Sequence, residues 1–153
     1  MSKPGMLPYE TTILVRDSCL CLHVQRAARA LARRFDDALR PLGLTNGQFS
    51  LLMSLNRPHP PAIGQVAEVL AMDRTTLTAA LKSLERRGLV TIECNPADKR
   101  SRLLHLTNDG RALLARAFPV WKQHHAEIDA ALQDADRLRG DLNQVLALRP
   151  VPV

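Results

Sequence analysis

Apolar residues recur every three or four positions over most of this chain, and such spacing indicates a mainly helical protein. The longest stripe begins near Asp17 and continues to about Arg40, where Pro41 and Gly43 stop it. A helix of about 24 residues would be about 36 Å long, which is more than the core of so small a domain can cover. We therefore expect part of this stripe to pack against another molecule.

Two short helices are predicted next, and the first has an unusually complete start signal. Thr45 and Gln48 have the spacing of a capping box, in which each side chain accepts a hydrogen bond from the other residue's backbone. Leu44 and Phe49 are placed to form the hydrophobic staple that often accompanies it. After a proline-rich break, the apolar residues between 63 and 70 predict the second short helix.

A third helix is predicted from Asp73, a favourable N-cap residue, to about Arg87. Gly88 stands where a left-handed residue ends many helices, and Leu89 is placed to pack back on Leu84 as in a Schellman motif. The apolar positions of this helix share one side, so its other side is polar, slender and basic. The residues predicted on or beside that outer side are Arg74, Thr75, Thr76, Thr78, Lys82 and Arg86.

A β-hairpin is predicted after this helix. Residues 89–93 and 102–106 alternate apolar and polar side chains, which is typical of strands. The segment between them, residues 95–100, is rich in turn-forming and charged residues. We therefore predict an exposed basic tip that carries Lys99 and Arg100.

The last third of the chain is predicted to be helical again. Thr107 is placed to cap a long helix, which Pro119 should kink or divide. A final short helix is expected from about Leu138 to Leu146. The predicted fold is mainly α with a small β-hairpin, organised as a single domain over residues 1–153.

Composition and charge narrow the function. The chain has 153 residues, enough for one domain, and its net charge of +6 favours a polyanionic partner. Its three cysteines are too few, and odd in number, for a disulfide framework, which indicates a reducing cytoplasm. We expect no membrane span, because no long apolar run occurs, and no export signal, because the first ten residues lack an apolar stretch.

The predicted helix at 63–70 is joined by a turn to the predicted helix at 73–87, and a β-hairpin follows. This order of elements is that of a winged helix-turn-helix. A major groove about 12 Å wide admits one helix if its outward side chains are small, and Thr75, Thr76 and Thr78 meet that limit. Lys82 and Arg86 add charge that suits DNA phosphates. The alternative is that these residues form the ordinary polar face of an amphipathic helix.

The predicted hairpin, or wing, adds a second contact. Lys99 and Arg100 can reach an adjacent minor groove, whose negative potential favours arginine, and Asp98 is placed to hold the Arg100 guanidinium. A solvated turn would also look basic. The order of helix, turn, helix, glycine stop and basic hairpin favours binding of double-stranded DNA over these separate alternatives.

The same residues resemble the multiple-antibiotic-resistance regulator (MarR) family. The likeness is carried by residues 63–90, with VAEVL at 66–70 and DRTTLT at 73–78. It continues in Asp98-x-Arg100 and in the LTxxG pattern at 106–110. Nearly the whole chain is covered, including the long first helix and the last two helices.

This resemblance implies a homodimeric winged-helix transcription regulator, usually a repressor, with no cofactor. Residues of about 17–40 and 108–148 would form the dimer interface, and residues 45–106 the DNA-binding lobe. A two-fold dimer would bind a pseudo-palindromic operator with half-sites about 34 Å apart. The resemblance also implies a wing arginine at Arg100, beside Asp98, and groove-facing contacts at Arg74, Thr75, Thr76, Thr78 and Lys82.

Regulators of this family generally respond to an oxidant or a small molecule. Residues 20–29 resemble the sensing helix of the organic-hydroperoxide-responsive branch, where a cysteine stands eight residues before an arginine. This likeness selects Cys21, eight residues before Arg29. Phe35 and Asn46 stand where that branch has the tyrosines that hold the sensing thiol, so specificity for peroxides is not implied.

Cys19, with His23 one turn later, is a second redox candidate, because a helix N-terminus and a nearby imidazolium lower the pKa of a thiol. Residues two apart on a helix point to opposite sides, so Cys19 and Cys21 are not expected to bridge easily. The alternative is that Cys21 is a small buried residue and Cys19 an incidental surface thiol. Cys94, at the end of a predicted strand, is expected to be structural filler.

A small-molecule pocket is the rival switch. In the resembled family, aromatic acids often bind between the dimer helices and the DNA-binding lobe. The candidate pocket residues here are Arg16, His23, Arg26, Arg29 and Trp121.

No metal site is expected, because the cysteines and histidine at 19, 21 and 23 alternate along one helix and cannot converge on one ion.

Two other functional classes remain open from the residues alone. A protein-interaction adaptor would explain the apolar terminal helices but not the basic hairpin behind a threonine-lined helix. A small thiol-dependent enzyme would use Cys19 or Cys21, yet no third group is placed to orient a Cys19–His23 pair. The chain has no HExxH zinc pattern, no glycine-rich phosphate loop and no nucleophile elbow, so we expect no enzyme.

Overall fold

The computed structural model describes residues 5–148, so the ends of the predicted single domain, residues 1–4 and 149–153, lie outside it. The prediction of a mainly helical fold with a two-stranded hairpin is confirmed. The elements in this part of the chain are α1 (Tyr9–Ser18), α2 (Leu20–Leu39), a short 3₁₀ helix (Arg40–Leu42), α3 (Asn46–Ser54), α4 (Ile63–Leu70), α5 (Arg74–Arg86), β1 (Val90–Asn95), β2 (Asp98–Leu106), α6 (Asn108–Ala131) and α7 (Ala135–Leu146).

The predicted start of the first long helix at Asp17 is wrong. Helix α1 ends at Ser18, and Cys19 adopts an extended backbone with φ −70° and ψ 106° before α2 begins. The Cys19 thiol accepts a hydrogen bond from the Leu22 N–H at 3.4 Å and so acts as the N-cap of α2. The sequence gives no sign of this break, since it contains no proline or glycine there and its N-cap is a cysteine, which seldom caps a helix.

The capping box of α3 is confirmed. The Gln48 N–H lies 3.2 Å from Thr45 Oγ1, and the Thr45 N–H lies 3.1 Å from Gln48 Oε1. Leu44 and Phe49 are both buried, as the predicted staple requires. These contacts set the direction in which the chain enters α3.

Helices α4 and α5 form the helix-turn-helix. Ala71 makes the turn in the left-handed region, with φ 51° and ψ 42°. Asp73 then caps α5, because its Oδ1 accepts the Thr76 N–H at 2.8 Å. The predicted Schellman end is also confirmed: Gly88 has φ 71°, and the Leu89 N–H lies 3.0 Å from the Leu84 carbonyl oxygen.

The wing is a tight hairpin rather than the longer turn predicted for residues 95–100. Asn95 pairs with Asp98, so only Pro96 and Ala97 form the turn. The Asn95 Oδ1 accepts the Ala97 N–H at 3.0 Å and closes the turn from within. Lys99 and Arg100 therefore fall within β2 beside this turn, in a stretch where the register shifts, because the pair after Asn95 and Asp98 is Cys94 with Arg102.

Helix α6 continues through Pro119 without division. A proline inside a helix removes the hydrogen bond to the carbonyl four residues earlier, here that of Ala115. Both Pro119 and Ala115 are exposed, so water can reach the carbonyl that loses its partner. Of the two outcomes expected at Pro119, a kink or a division, the division is therefore wrong, for a reason that depends on which side of the helix faces solvent.

The core lies beneath α5 and joins it to α2, α3 and the wing. Its largest fully buried side chains include Leu39, Leu52, Leu77, Leu81, Leu84 and Leu104. By contrast, neither α1 nor α7 contains a buried residue. The large apolar side chains left exposed on the terminal helices α1, α2, α6 and α7 are Tyr9, Leu14, Val15, Leu20, Leu31, Phe118, Leu138, Leu142, Val145 and Leu146.

Candidate nucleic-acid interface

Helix α5 has one buried side and one open side. Leu77, Leu81 and Leu84 have no exposed surface and anchor the helix on the core. The opposite side is not covered by any described part of the chain. Arg74, Thr75, Thr78, Ala79 and Lys82 line a shallow groove there, and Arg86 is exposed one turn further along.

The threonines on this open side differ in what their hydroxyl groups do. Thr76 Oγ1 donates to Asp73 Oδ2 at 2.7 Å, and Thr78 Oγ1 donates to the Arg74 carbonyl oxygen at 2.7 Å. The hydroxyl of Thr75 forms no hydrogen bond within residues 5–148. Thr75 therefore keeps both its donor and its acceptors for a ligand, whereas Thr76 and Thr78 offer acceptors alone.

The cap of α5 is held in its charged form. The backbone N–H and then the hydroxyl of Thr76 lower the pKa of the Asp73 carboxyl below its ordinary value. An ionised Asp73 stabilises the positive end of the helix dipole. At neutral pH the ionised Asp73 carboxylate therefore keeps its hydrogen bonds to Thr76, and these bonds hold the first turn of α5, where the open side begins.

Asp98 organises the wing differently from the prediction. Its Oδ1 accepts the backbone N–H of Arg100 at 3.0 Å, and its carboxylate makes no ion pair with the Arg100 guanidinium among the described residues. This is the local contact of an Asx turn, in which an aspartate side chain accepts a hydrogen bond from the backbone N–H two residues further on. The side chains of Lys99 and Arg100 are exposed.

Arg102, which we did not predict as a wing residue of interest, folds back along the hairpin. Its guanidinium donates to the carbonyl oxygens of Lys99 at 3.2 Å and Ser101 at 3.1 Å. The sequence contains no signal that separates Arg102 from the two basic residues before it. Arg102 therefore stiffens the strand from which Lys99 and Arg100 project.

The cysteines occupy three different environments. Cys19 is half-buried at the N-cap of α2, and the His23 ring donates to its carbonyl oxygen at 2.8 Å, not to its thiol. The imidazole expected near this thiol thus contacts the backbone of Cys19 instead, and the thiol accepts the Leu22 N–H. Cys21 is exposed, with its sulfur 3.1 Å from Gln25 Nε2.

Cys21 and Cys94 both lie at the surface of the subunit. Cys94 is exposed on β1, so its interpretation as structural filler is wrong. Cys21 is exposed as well, so the core of its own subunit does not bury it. Within residues 5–148, no group of three histidine, cysteine or acidic side chains is arranged to hold a metal ion.

The predicted pocket residues fall in separate places. Arg16 is on α1 and forms an ion pair with Asp17 at 2.7 Å. Trp121 is on α6, stacked between Phe49 and Phe118 with ring centroids 6.2 and 5.9 Å away, beside a cavity of about 440 Å³. Only three of the five share a depression, of about 520 Å³ on the outer side of α2, which is lined by His23, Arg26, Ala27, Arg29, Ala30 and Arg33.

Together these elements define a winged-helix DNA-binding protein: a helix-turn-helix whose second helix is open, followed by a basic hairpin. Residues 44–101 match the model of the MarR family. The organic hydroperoxide resistance transcriptional regulator of Bacillus subtilis is 31% identical over 101 residues, which are 66% of this chain and 69% of that protein. The chain belongs to the MarR family.

Two solved structures show relatives on DNA. The Mycobacterium tuberculosis transcriptional regulator MosR, in complex with DNA, is 38% identical, with a TM-score of 0.78 over 84% of this chain and 93% of that one. The transcriptional repressor CouR, bound to a 23-mer DNA duplex, is 30% identical, with a TM-score of 0.71 over 96% of both chains. The protein is thus a DNA-binding transcription regulator, which sets aside the adaptor and the thiol-dependent enzyme.

No helix between residues 5 and 148 combines the length and the apolar character that crossing a bilayer requires.

Proposed function

We propose that this protein is a homodimeric repressor that binds a pseudo-palindromic operator in the cytoplasm and is released by an oxidant or a small molecule. The observation that carries the proposal is the open side of α5, which the subunit leaves uncovered while its other side is fully buried. The proposed DNA contacts are Arg74, Thr75, Thr76, Thr78, Lys82 and Arg86 on α5 and Asp98, Lys99 and Arg100 on the wing.

The proposed dimer is supported by the apolar side chains on the terminal helices. On α7, Leu138, Leu142 and Val145 are 43%, 38% and 38% exposed, although they lie on one side of the helix. Burying such a stripe against a second copy is favourable by about 25 cal/mol for each Å² removed from water. A two-fold dimer would place two α5 helices about one DNA turn, or 34 Å, apart.

Binding to DNA across a salt series tests this proposal. The protein is first used to select fragments from fragmented genomic DNA, and the affinity for the tightest fragment is then measured between about 50 and 200 mM salt. We expect the logarithm of the binding constant to fall linearly with that of the salt concentration, by about 0.9 per phosphate contacted. The proposal would be contradicted if the selected fragments contained no enriched inverted repeats, or if the binding constant did not change with salt concentration.

An oxidant is the first candidate effector. Cys21 is exposed, and the Gln25 amide is placed to donate a hydrogen bond to its thiolate. In the proposed step the thiolate attacks the terminal OH oxygen of a hydroperoxide, the O–O bond breaks, the OH group stays on the sulfur, and the alkoxide leaves and takes a proton from water to become the alcohol. The sulfur is oxidised to sulfenic acid and the peroxide is reduced, so two electrons are transferred. The name of the B. subtilis relative supports this candidate.

Substitution of Cys21 tests the oxidant. We expect Cys21→Ser to bind the selected fragment normally and to stay bound after mild treatment with an organic hydroperoxide, because serine cannot form the sulfenic acid. The measurement is fluorescence anisotropy of labelled DNA before and after oxidation. Cys94→Ser, which removes another exposed thiol, is the matched control and should still release. Full release of Cys21→Ser would exclude Cys21, and retention by Cys19→Ser alone would assign the role to Cys19.

A small molecule is the second candidate effector, and two observations favour it. His23, Arg26 and Arg29 share a basic depression suited to an anionic group, while Trp121 lies beside a cavity with aromatic and aliphatic walls. An effector of this kind would act without a thiol. A variant with serine at all three cysteines would then be released by the small molecule but not by hydroperoxide.

A further inference from the structure

Gly64, the second residue of α4, lies against the side chain of Arg74. A Cβ atom placed on Gly64 would be 2.9 Å from Arg74 Nη2 and 3.7 Å from its Cζ. A contact of 2.9 Å is too short for a real Cβ, so an alanine at 64 would make the flexible end of the Arg74 side chain move, whereas glycine lets the guanidinium rest there. The side chain of the first residue of α5 is thus packed on the backbone of α4.

The backbone of α4 does not require a glycine at this position. Among the glycines with positive φ are Gly43 and Gly88, and Gly64 is not one of them. Glycine is also one of the weakest helix formers, so it disfavours α4 relative to alanine. The close approach of Arg74 is therefore the feature of the structure that accounts for a glycine here.

Arg74 gains a defined position from this contact. Its guanidinium forms no ion pair with another described residue, and its side chain is otherwise exposed. A long free side chain loses rotamer freedom when it binds DNA, and this loss weakens binding. Packing on Gly64 removes part of that freedom before DNA arrives.

We infer that Gly64 is a positioning residue for DNA recognition, which acts by holding the Arg74 guanidinium on the surface of α4. The inference rests on the proposed role of Arg74 as a DNA contact. It adds that the first helix of the helix-turn-helix determines where the leading arginine of the second helix points.

A double-mutant cycle tests this inference. Affinities of wild type, Gly64→Ala, Arg74→Ala and the double variant are measured for the tightest selected genomic fragment at one salt concentration. We expect Arg74→Ala to lower affinity by about tenfold or more and Gly64→Ala by about fivefold. The double variant should bind like Arg74→Ala, because alanine at 64 has nothing left to displace.

Stability provides a readout that separates positioning from folding. Because alanine is the better helix former, Gly64→Ala should unfold at an equal or higher urea concentration while binding DNA more weakly. Gly47→Ala is the matched control: Gly47 is the second residue of α3, and its nearest neighbour for an added Cβ is Thr45 Oγ1 at 4.0 Å. It should gain similar stability and keep its affinity.

The other outcomes separate this inference from the proposed function. If Arg74→Ala weakens binding but Gly64→Ala does not, the inference is wrong and the DNA contact stands. If Gly64→Ala weakens binding equally with arginine or alanine at 74, the glycine does not act through Arg74 and the inference is again overturned. If Arg74→Ala binds as tightly as wild type, the proposed contact at Arg74 is wrong, and the inference falls with it.

Discussion

Replacing Gly110 by alanine is expected to lower the free energy of unfolding by about 3 kcal/mol, the largest stability effect that we predict for a single methyl group. A Cβ at Gly110 would lie 2.1 Å from the Leu89 carbonyl oxygen and 3.3 Å from Leu106 Cδ2. The first neighbour is backbone and cannot rotate away. The start of α6 would have to separate from the base of the wing.

The hydrogen bonds around Gly110 explain why that separation is costly. The Leu89 carbonyl oxygen accepts the Thr107 N–H at 3.1 Å, and Thr107 Oγ1 donates to the Gly88 carbonyl oxygen at 2.7 Å. The Gly110 N–H in turn donates to Thr107 Oγ1 at 3.0 Å. A shift of α6 disturbs all three bonds, which join the end of α5, the wing and α6.

Urea unfolding at a fixed protein concentration measures this effect, since the stability of a dimer depends on concentration. Gly140→Ala is the control: an added Cβ there has no neighbour within 4 Å, and we expect stability to stay the same or to rise by about 1 kcal/mol. Equal midpoints for the Gly110 and Gly140 variants would show that the wing and α6 can separate at little cost.

Arg100→Ala is expected to weaken binding of the selected operator by about 10- to 100-fold, or about 1–3 kcal/mol, without unfolding the protein. The Arg100 side chain is exposed, and Asp98 holds its backbone N–H at 3.0 Å. The guanidinium therefore projects from a strand whose backbone is already ordered. A minor groove of negative potential is the expected site for such a group.

The measurement is anisotropy with the selected fragment and with a scrambled duplex, together with far-UV circular dichroism. Arg116→Ala removes the same charge from an exposed position on α6 and should leave operator affinity within about twofold of wild type. Affinity for the scrambled duplex should fall less than that for the operator. Unchanged operator affinity of Arg100→Ala would remove the wing from the proposed interface.

The sequence by itself determined the features that depend on neighbours along the chain. The capping box at Thr45 and Gln48, the cap at Asp73 and the glycine stop at Gly88 are formed by residues no more than five apart. The apolar side of α5 is likewise local, because its buried residues Leu77, Leu81 and Leu84 follow one another at steps of three or four. Such signals are local because backbone hydrogen bonds at helix ends are satisfied by side chains within one turn.

Only the tertiary structure decided the rest. It made Cys19 a cap, brought Gly110 against Leu89, and placed Gly64 under Arg74. It also separated Trp121 from the basic residues of α2 that the family resemblance had grouped with it as a candidate pocket. Periodicity reports which side of a helix is apolar but not which atoms of another element lie opposite it, because packing is set by distances between elements far apart in the chain.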